Sequence, residues 1–308
     1  MFLFFTWGQT FPADRKRIVF PPHPTLIAFS LPSRRGEISR LPVNDDLFSV
    51  WQSTLTLPVS SSSCLLPLYT NMEITFEPRE GHRATLVFLH GFSMSAEEMA
   101  CELAPVVAEL PWLRLVVPEA AVAPVTAYGG DEFRSWFDYL TDRDGEAEDS
   151  VDASTVRSAR AAVQRLLWRE HTLAPPEAPV VLGGLSQGGC LALDVATRDS
   201  NLAAVVTCVA HRLHLSRARP LLCPWHALSA GQDDVFPASW AQPLPEDGVL
   251  LTVAETADHY LSGGELAPFV TEAMRSVVAS GVTVTIDESV EHPRSAWEEE
   301  EAPPHLLP

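Results

Sequence analysis

From about Met72 to Ser280, apolar residues arrive in short continuous runs, separated by stretches where they recur at helical spacing. Thr85 to Leu89 is the first run, closed by His90-Gly91. Ser95 and Glu98 stand at capping-box spacing and open a helix that continues to about Leu110. Leu113 to Val117 is a second strand-like run, halted by Pro118. Val156, Ala159, Val163, Leu166 and Leu167 then repeat with helical period behind Asp152 or Ser154 as the cap. Val180 to Leu182, Ala203 to Val209, Leu221 to Leu228 and Val249 to Val253 are further apolar runs. Leu266, Phe269, Val270, Ala273 and Val277 give a last amphipathic helix. Continuous apolar strands alternating with helices require a mostly parallel central sheet with helices on both faces, so the fold class is α/β.

The flanks read differently. Residues 1 to 71 are rich in Pro and Ser (Pro21-Pro22, Pro24, Ser60 to Ser63) and show no sustained period, as expected of an irregular extension. Up to Asn44 they carry a charge of +4, which leaves -23 for the rest of a chain whose total is -19. An Arg-bearing, acid-poor N-terminus has the composition of a transit peptide, and a plain upstream extension is the other reading. Residues 281 to 308 hold Glu298 to Glu301 and Pro303-Pro304 and are expected to form a solvated acidic tail. The domain between, 72 to 280, is expected to hold the chemistry.

Composition removes several kinds of chemistry. The acidic balance repels phosphate backbones, which argues against nucleic acid as a partner. Lys16 is the one lysine, so Schiff-base, P-loop and protein-kinase chemistry are excluded. Cys64, Cys101, Cys190, Cys208 and Cys223 show no metal-binding spacing, and neither a zinc site nor a disulfide framework is expected. No uncharged apolar run reaches the ~20 residues of a membrane helix. A reducing, cytoplasmic setting is the expectation, with organelle targeting by the N-terminal extension as its alternative.

What remains is Gly184-Leu185-Ser186-Gln187-Gly188, flanked by Gly183 and Gly189, after the run Val180 to Leu182 and before the helical run Cys190 to Thr197. A GxSxG turn between a strand and a helix pushes its serine out at the sheet edge in a strained backbone, with the helix N-terminus favouring a developing oxyanion. A serine hydroxyl needs a histidine base and an acid to orient it. His259 follows the strand Val249 to Val253 and is the expected base; His211 and His214 come too soon, and His226 falls inside a strand run. The acid belongs on the loop Gly231-Gln232-Asp233-Asp234-Val235-Phe236-Pro237, where Asp233 and Asp234 compete and Asp234 is favoured; Asp258 is a weaker candidate. The oxyanion hole takes one backbone N–H from Gln187 and the other from Phe92, in His90-Gly91-Phe92. His90 itself is read as a structural loop residue, and Arg134 as a surface arginine.

These residues together resemble the phospholipase/carboxylesterase family of α/β-hydrolases, whose best-known members are the acyl-protein thioesterases. Leu89-His90-Gly91-Phe92 is similar to the family's oxyanion loop. Pro124-Val125-Thr126, Gly129-Gly130 and Ser135-Trp136-Phe137-Asp138 resemble a segment few other hydrolases carry, and Leu182 to Gly189 resembles the family's GGFSQGG elbow with Leu185 in place of Phe. The resemblance implies the α/β-hydrolase fold, Ser186 as nucleophile, Asp234 as acid, His259 as base, and Trp136 lining the acyl channel. It further implies cleavage of acyl thioesters, including palmitoyl-protein, or of carboxylic esters, with no metal or cofactor. An acylated protein or a lipid ester would be the partner, met by transient contact with a membrane surface. A lysophospholipase or small-ester carboxylesterase is the alternative within the class; a non-catalytic acyl-ligand binder is the alternative outside it. The chain departs from the family pattern at the acid loop, where Gly231 and Pro237 are displaced. It departs again around the base, which reads Asp258-His259-Tyr260, and after Ala203 to Val209, where a Ser-Gly is missing.

Overall fold

The computed structural model describes residues 73–240 and 248–281. The chain enters through β1 (Glu73–Phe76), β2 (Ala84–Leu89), α1 (Ala96–Glu109) and β3 (Leu113–Pro118), then turns through a small hairpin of β4 (Val122–Val125) and β5 (Asp131–Arg134). It continues through α2 (Ala153–Leu173), β6 (Val180–Leu185), α3 (Gln187–Ala196), β7 (Ala204–Cys208), β8 (Trp225–Ala230), β9 (Val249–Ala254) and α4 (Leu266–Ser280). The extension expected over 1–71, and all but Gly281 of the tail expected over 281–308, lie outside the described residues. None of the helices among the described residues is long and apolar enough to cross a membrane.

The main sheet has the order β1-β3-β2-β6-β7-β8-β9. β1 runs antiparallel to β3, and every other neighbour pair is parallel. The mostly parallel α/β arrangement expected from the apolar runs is what the chain adopts. Side chains of β2 alternate between the two covered faces. Leu86 and Phe88 join the apolar cluster of α1 and α4, while Val87 and Leu89 join that of α2 and α3. Burial on both faces is why these runs read as continuous rather than alternating.

Local signals set the helix starts. Ser95 accepts from the Glu98 N–H while Glu98 reaches back to the Ser95 N–H, so both halves of the capping box at α1 are made. Asp152, not Ser154, caps α2, accepting from the Thr155 N–H at 2.8 Å. β8 starts at Trp225 rather than Leu221, because Pro220 and Pro224 break the apolar run before it can pair. The β4–β5 hairpin has no counterpart in the hydrophobic pattern, since its strands are four residues each and mostly exposed. β9 was expected to be buried, yet it is the open edge of the sheet, with Leu250 59% and Leu251 45% exposed.

Connections from β2 lead to one side of the sheet and connections from β6 to the other. The loops after these two neighbouring strands therefore diverge at the carboxyl end of the sheet, the crevice where open α/β sheets place ligands.

Candidate active site

Ser186 stands between β6 and α3 with φ 50° and ψ -120°. An L-residue avoids this region unless the surroundings impose it. The imposition here is steric: a Cβ on Gly184 would lie 2.4 Å from the Gly188 carbonyl carbon, and one on Gly188 would lie 2.5 Å from the carbonyl oxygens of Leu89 and His90. The two glycines let β6, α3 and the end of β2 approach at backbone distance. Ser186 is further fixed by its N–H, which donates to Cys208 O at 3.0 Å. The outcome is the elbow that the strand-turn-helix context suggested, with the serine half-buried and its hydroxyl at the sheet edge.

His259, on the loop after β9, brings Nε2 to 2.9 Å from Ser186 Oγ. Its Nδ1 lies 2.9 Å and 3.0 Å from the two carboxylate oxygens of Asp233. A carboxylate only accepts, so Nδ1 carries the proton and Nε2 presents its lone pair to the serine hydroxyl. Asp233 Oδ1 also accepts from the N–H groups of Val235 at 2.9 Å and Phe236 at 2.7 Å. The carboxylate is therefore held from two directions in a buried position.

The acid that meets the histidine is thus Asp233, and the expectation of Asp234 is corrected. β8 ends at Ala230 and the chain turns at once, with the Gly231 N–H on Ala254 O and the Gln232 N–H on Ala257 O. That early turn points the first aspartate inward. Asp234 is exposed, and its main-chain carbonyl packs on Gly145, where a Cβ would come within 1.9 Å of it. Asp258 does not reach the imidazole; it accepts from the Tyr260 and Ser262 N–H groups and fixes the turn that carries His259.

The loop after β2 lies against the nucleophile: a Cβ on Gly91 would be 3.7 Å from Ser186 Cβ. The N–H groups of Phe92 and Gln187, expected as oxyanion donors, sit on this loop and on the first residue of α3. Neither is taken up by another backbone carbonyl in the described loops and turns. Trp136, expected to line an acyl channel, is 4% exposed. Its indole N–H donates to His90 O at 2.8 Å and its main-chain N–H donates to Gln187 Oε1 at 3.0 Å. Arg134 does not stand free either; it pairs with Glu119, and its carbonyl accepts from the Ser93 N–H.

The sequence pattern assigns no role to Phe236 or to the rings packed around Phe92. Phe236 meets the His259 ring edge-on at 5.1 Å between centroids, and Phe92 packs with Tyr128, Phe133 and Tyr139 at 5.2–5.7 Å. Phe236 carries a readable signal, standing three residues past the acid. The hairpin aromatics carry none, because their contacts depend on how β4–β5 folds over the loop. Burial holds the His90 imidazole below its ordinary titration range. The Ala120 N–H donates to its Nε2 at 3.0 Å, so Nδ1 bears the proton and donates to Gly91 O at 2.8 Å.

Comparison with known proteins agrees with this architecture. A profile of the Phospholipase/Carboxylesterase family matches residues 70–221. Acyl-protein thioesterase 1 of Cryptococcus neoformans is 32% identical over 136 residues, covering 43% of this chain and 56% of that protein. Acyl-protein thioesterase 1 of Schizosaccharomyces pombe is 28% identical over 120 residues, covering 39% and 52%. The chain thus spans about half the length of the curated relatives it matches. Among solved structures, Zea mays acyl-protein thioesterase 2 aligns with a TM-score of 0.57 at 21% identity, covering 68% of this chain and 99% of the other. The Bacillus cereus carboxylesterase aligns at 0.53 and 16%, covering 67% and 93%. At such identities the likeness is one of fold, an α/β-hydrolase-like sheet.

Proposed function

The chain belongs to the phospholipase/carboxylesterase family of α/β-hydrolases, and from that premise we propose that it is a serine hydrolase cleaving acyl thioesters or carboxylic esters through an acyl-enzyme. The observation that carries the reading is the continuous relay from Ser186 Oγ through His259 to Asp233, set on a serine with positive φ. In this reading Ser186 attacks the acyl carbonyl as His259 Nε2 takes the hydroxyl proton. Asp233 fixes the imidazole tautomer and stabilises the imidazolium. The Phe92 and Gln187 N–H groups receive the oxyanion, and His259 returns the proton to the leaving thiol or alcohol. Water then repeats the sequence on the acyl-enzyme. The substrate is a long-chain acylated protein, with palmitoyl-cysteine as the type, and no step calls for a metal or cofactor. A cytoplasmic location goes with this substrate.

The test uses the full chain. Fluorophosphonate should label Ser186, and intact mass should show an acyl adduct from palmitoyl and acetyl thioester donors, both absent in Ser186→Ala. A folded protein that takes up neither label overturns the reading in favour of acyl-ligand binding without turnover. Thioester and oxyester offered in competition then rank the leaving groups, which the relay itself does not select.

A further inference from the structure

We propose that His90, held by Trp136 and Gln187, is a positioning residue that aims the Phe92 N–H into the oxyanion hole and ties that donor to the other one. The inference rests on the serine-hydrolase reading and adds a mechanism for its preorganisation.

The argument begins with one peptide unit. The Gly91 carbonyl and the Phe92 N–H belong to the same planar trans amide, so they point in opposite directions and move together. His90 Nδ1–H donates to Gly91 O at 2.8 Å. Fixing that oxygen fixes the direction of the Phe92 N–H on the other side of the plane. The imidazole is fully enclosed and is anchored at its far nitrogen by the Ala120 N–H, two residues past the end of β3. The side chain thus works as a strut between the loop after β3 and the peptide that carries the donor.

The strut is braced from the elbow. The Trp136 indole donates to His90 O at 2.8 Å and its ring packs on the imidazole with centroids 5.0 Å apart. Trp136 is in turn held by Gln187, whose buried amide is fully engaged. Oε1 accepts from the Trp136 N–H at 3.0 Å, and Nε2 donates to Ser135 Oγ at 2.9 Å and to Phe137 O at 3.0 Å. Gln187 therefore offers its main-chain N–H as one donor while its side chain orders the segment that aims the other. A buried amide with every polar atom paired tolerates little displacement, because each lost partner leaves a desolvated group behind. Electrostatic stabilisation of an oxyanion needs donors that do not reorganise during reaction, and this chain of contacts supplies that constraint.

The test compares variants that keep the bulk and remove one contact. His90→Leu deletes the strut, while His90→Asn restores an N–H near the Nδ1 position. Deleting an oxyanion donor outright costs ~10²–10³ in kcat, so misaiming one is expected to cost about tenfold or more. The expected result is a fall in kcat for His90→Leu with KM within about twofold and partial recovery in His90→Asn. Affinity for an alkyl trifluoromethyl ketone, whose serine adduct carries the oxyanion, should fall in parallel, while the matching methyl ketone binds unchanged. Trp136→Phe and Gln187→Met, alone and together, provide the second series should His90→Leu fail to fold. Residues in one chain should be non-additive, the double variant being little worse than the worse single. Unchanged kcat and ketone affinity in folded variants overturn the proposal, as does strict additivity. A wild-type protein that is inactive and unlabelled at Ser186 overturns the hydrolase reading instead.

Discussion

Residues 70–221 carry Ser186, the proposed nucleophile, and the Phe92 and Gln187 amides proposed for the oxyanion, on the ends of β2 and β6, strands enclosed on both faces with Gly184 in backbone contact. Asp233 and His259, the proposed acid and base, lie beyond residue 221, on loops after β8 and β9, where the last strand lies open along Leu250, Leu251 and Val253. The first region is the part that the family profile matches. The second has shifted its glycine, its proline and the residues around the histidine, yet its imidazole still reaches the serine. Parallel strands explain the tolerance: any loop leaving the carboxyl ends of β8 and β9 emerges on the same rim, so sequence can drift if the turn geometry brings one carboxylate inward.

The comparison sharpens first at the nucleophile. Ser186→Ala should lower turnover by ~10⁴-fold or more and abolish fluorophosphonate labelling, read by steady-state kinetics and gel fluorescence. Next comes the drifted region. Asp233→Asn should lose ~10⁴-fold in kcat by disturbing the imidazole tautomer, as in other triads, while Asp234→Asn should stay within about twofold. Equal losses at both positions would mean that the acid loop rearranges in solution.

Stability separates the regions on a smaller scale. Leu182→Ala, in the enclosed centre of β6, should cost about 2–5 kcal/mol in urea denaturation. Acidification should weaken the fold more gently. His82, His90, His171, His211 and His226 are all held below the ordinary value of 6.5, chiefly by burial. The unfolded chain binds their protons at higher pH than the folded one, so this stability is complete above 6.5 and drains as pH falls below it. Urea midpoints at pH 7.5 and 5.5 should show the decline, a window lying above the carboxylate range where Asp149 and Asp199, raised by burial, act with the opposite sign. Leu250→Lys, at the open edge, should move stability by ~0.5 kcal/mol or less and leave kcat alone.

Legibility followed the same division. Runs that face apolar neighbours on both sides, such as Leu86 to Leu89 and Val180 to Leu182, announce their strands because every position must be hydrophobic. The elbow was equally plain, since steric demand at Gly184 and Gly188 writes itself into residue identity. The sequence favours Asp234 where the structure sets Asp233 against His259, because the choice depends on where β8 stops, a matter of two main-chain hydrogen bonds rather than of side-chain type. Trp136 is ambiguous for a related reason. A tryptophan near a groove and a tryptophan bracing a loop look alike until the destination of the indole N–H is known. The β4–β5 hairpin left no periodic trace at all.

Gly145 carries one further consequence. With φ 73° and the Asp234 carbonyl where its side chain would project, it makes the span between β5 and α2 a neighbour that the acid-bearing turn cannot outgrow. Lengthening or bulking either segment alone would push the carboxylate off the imidazole, so changes in the two should be inherited as a pair.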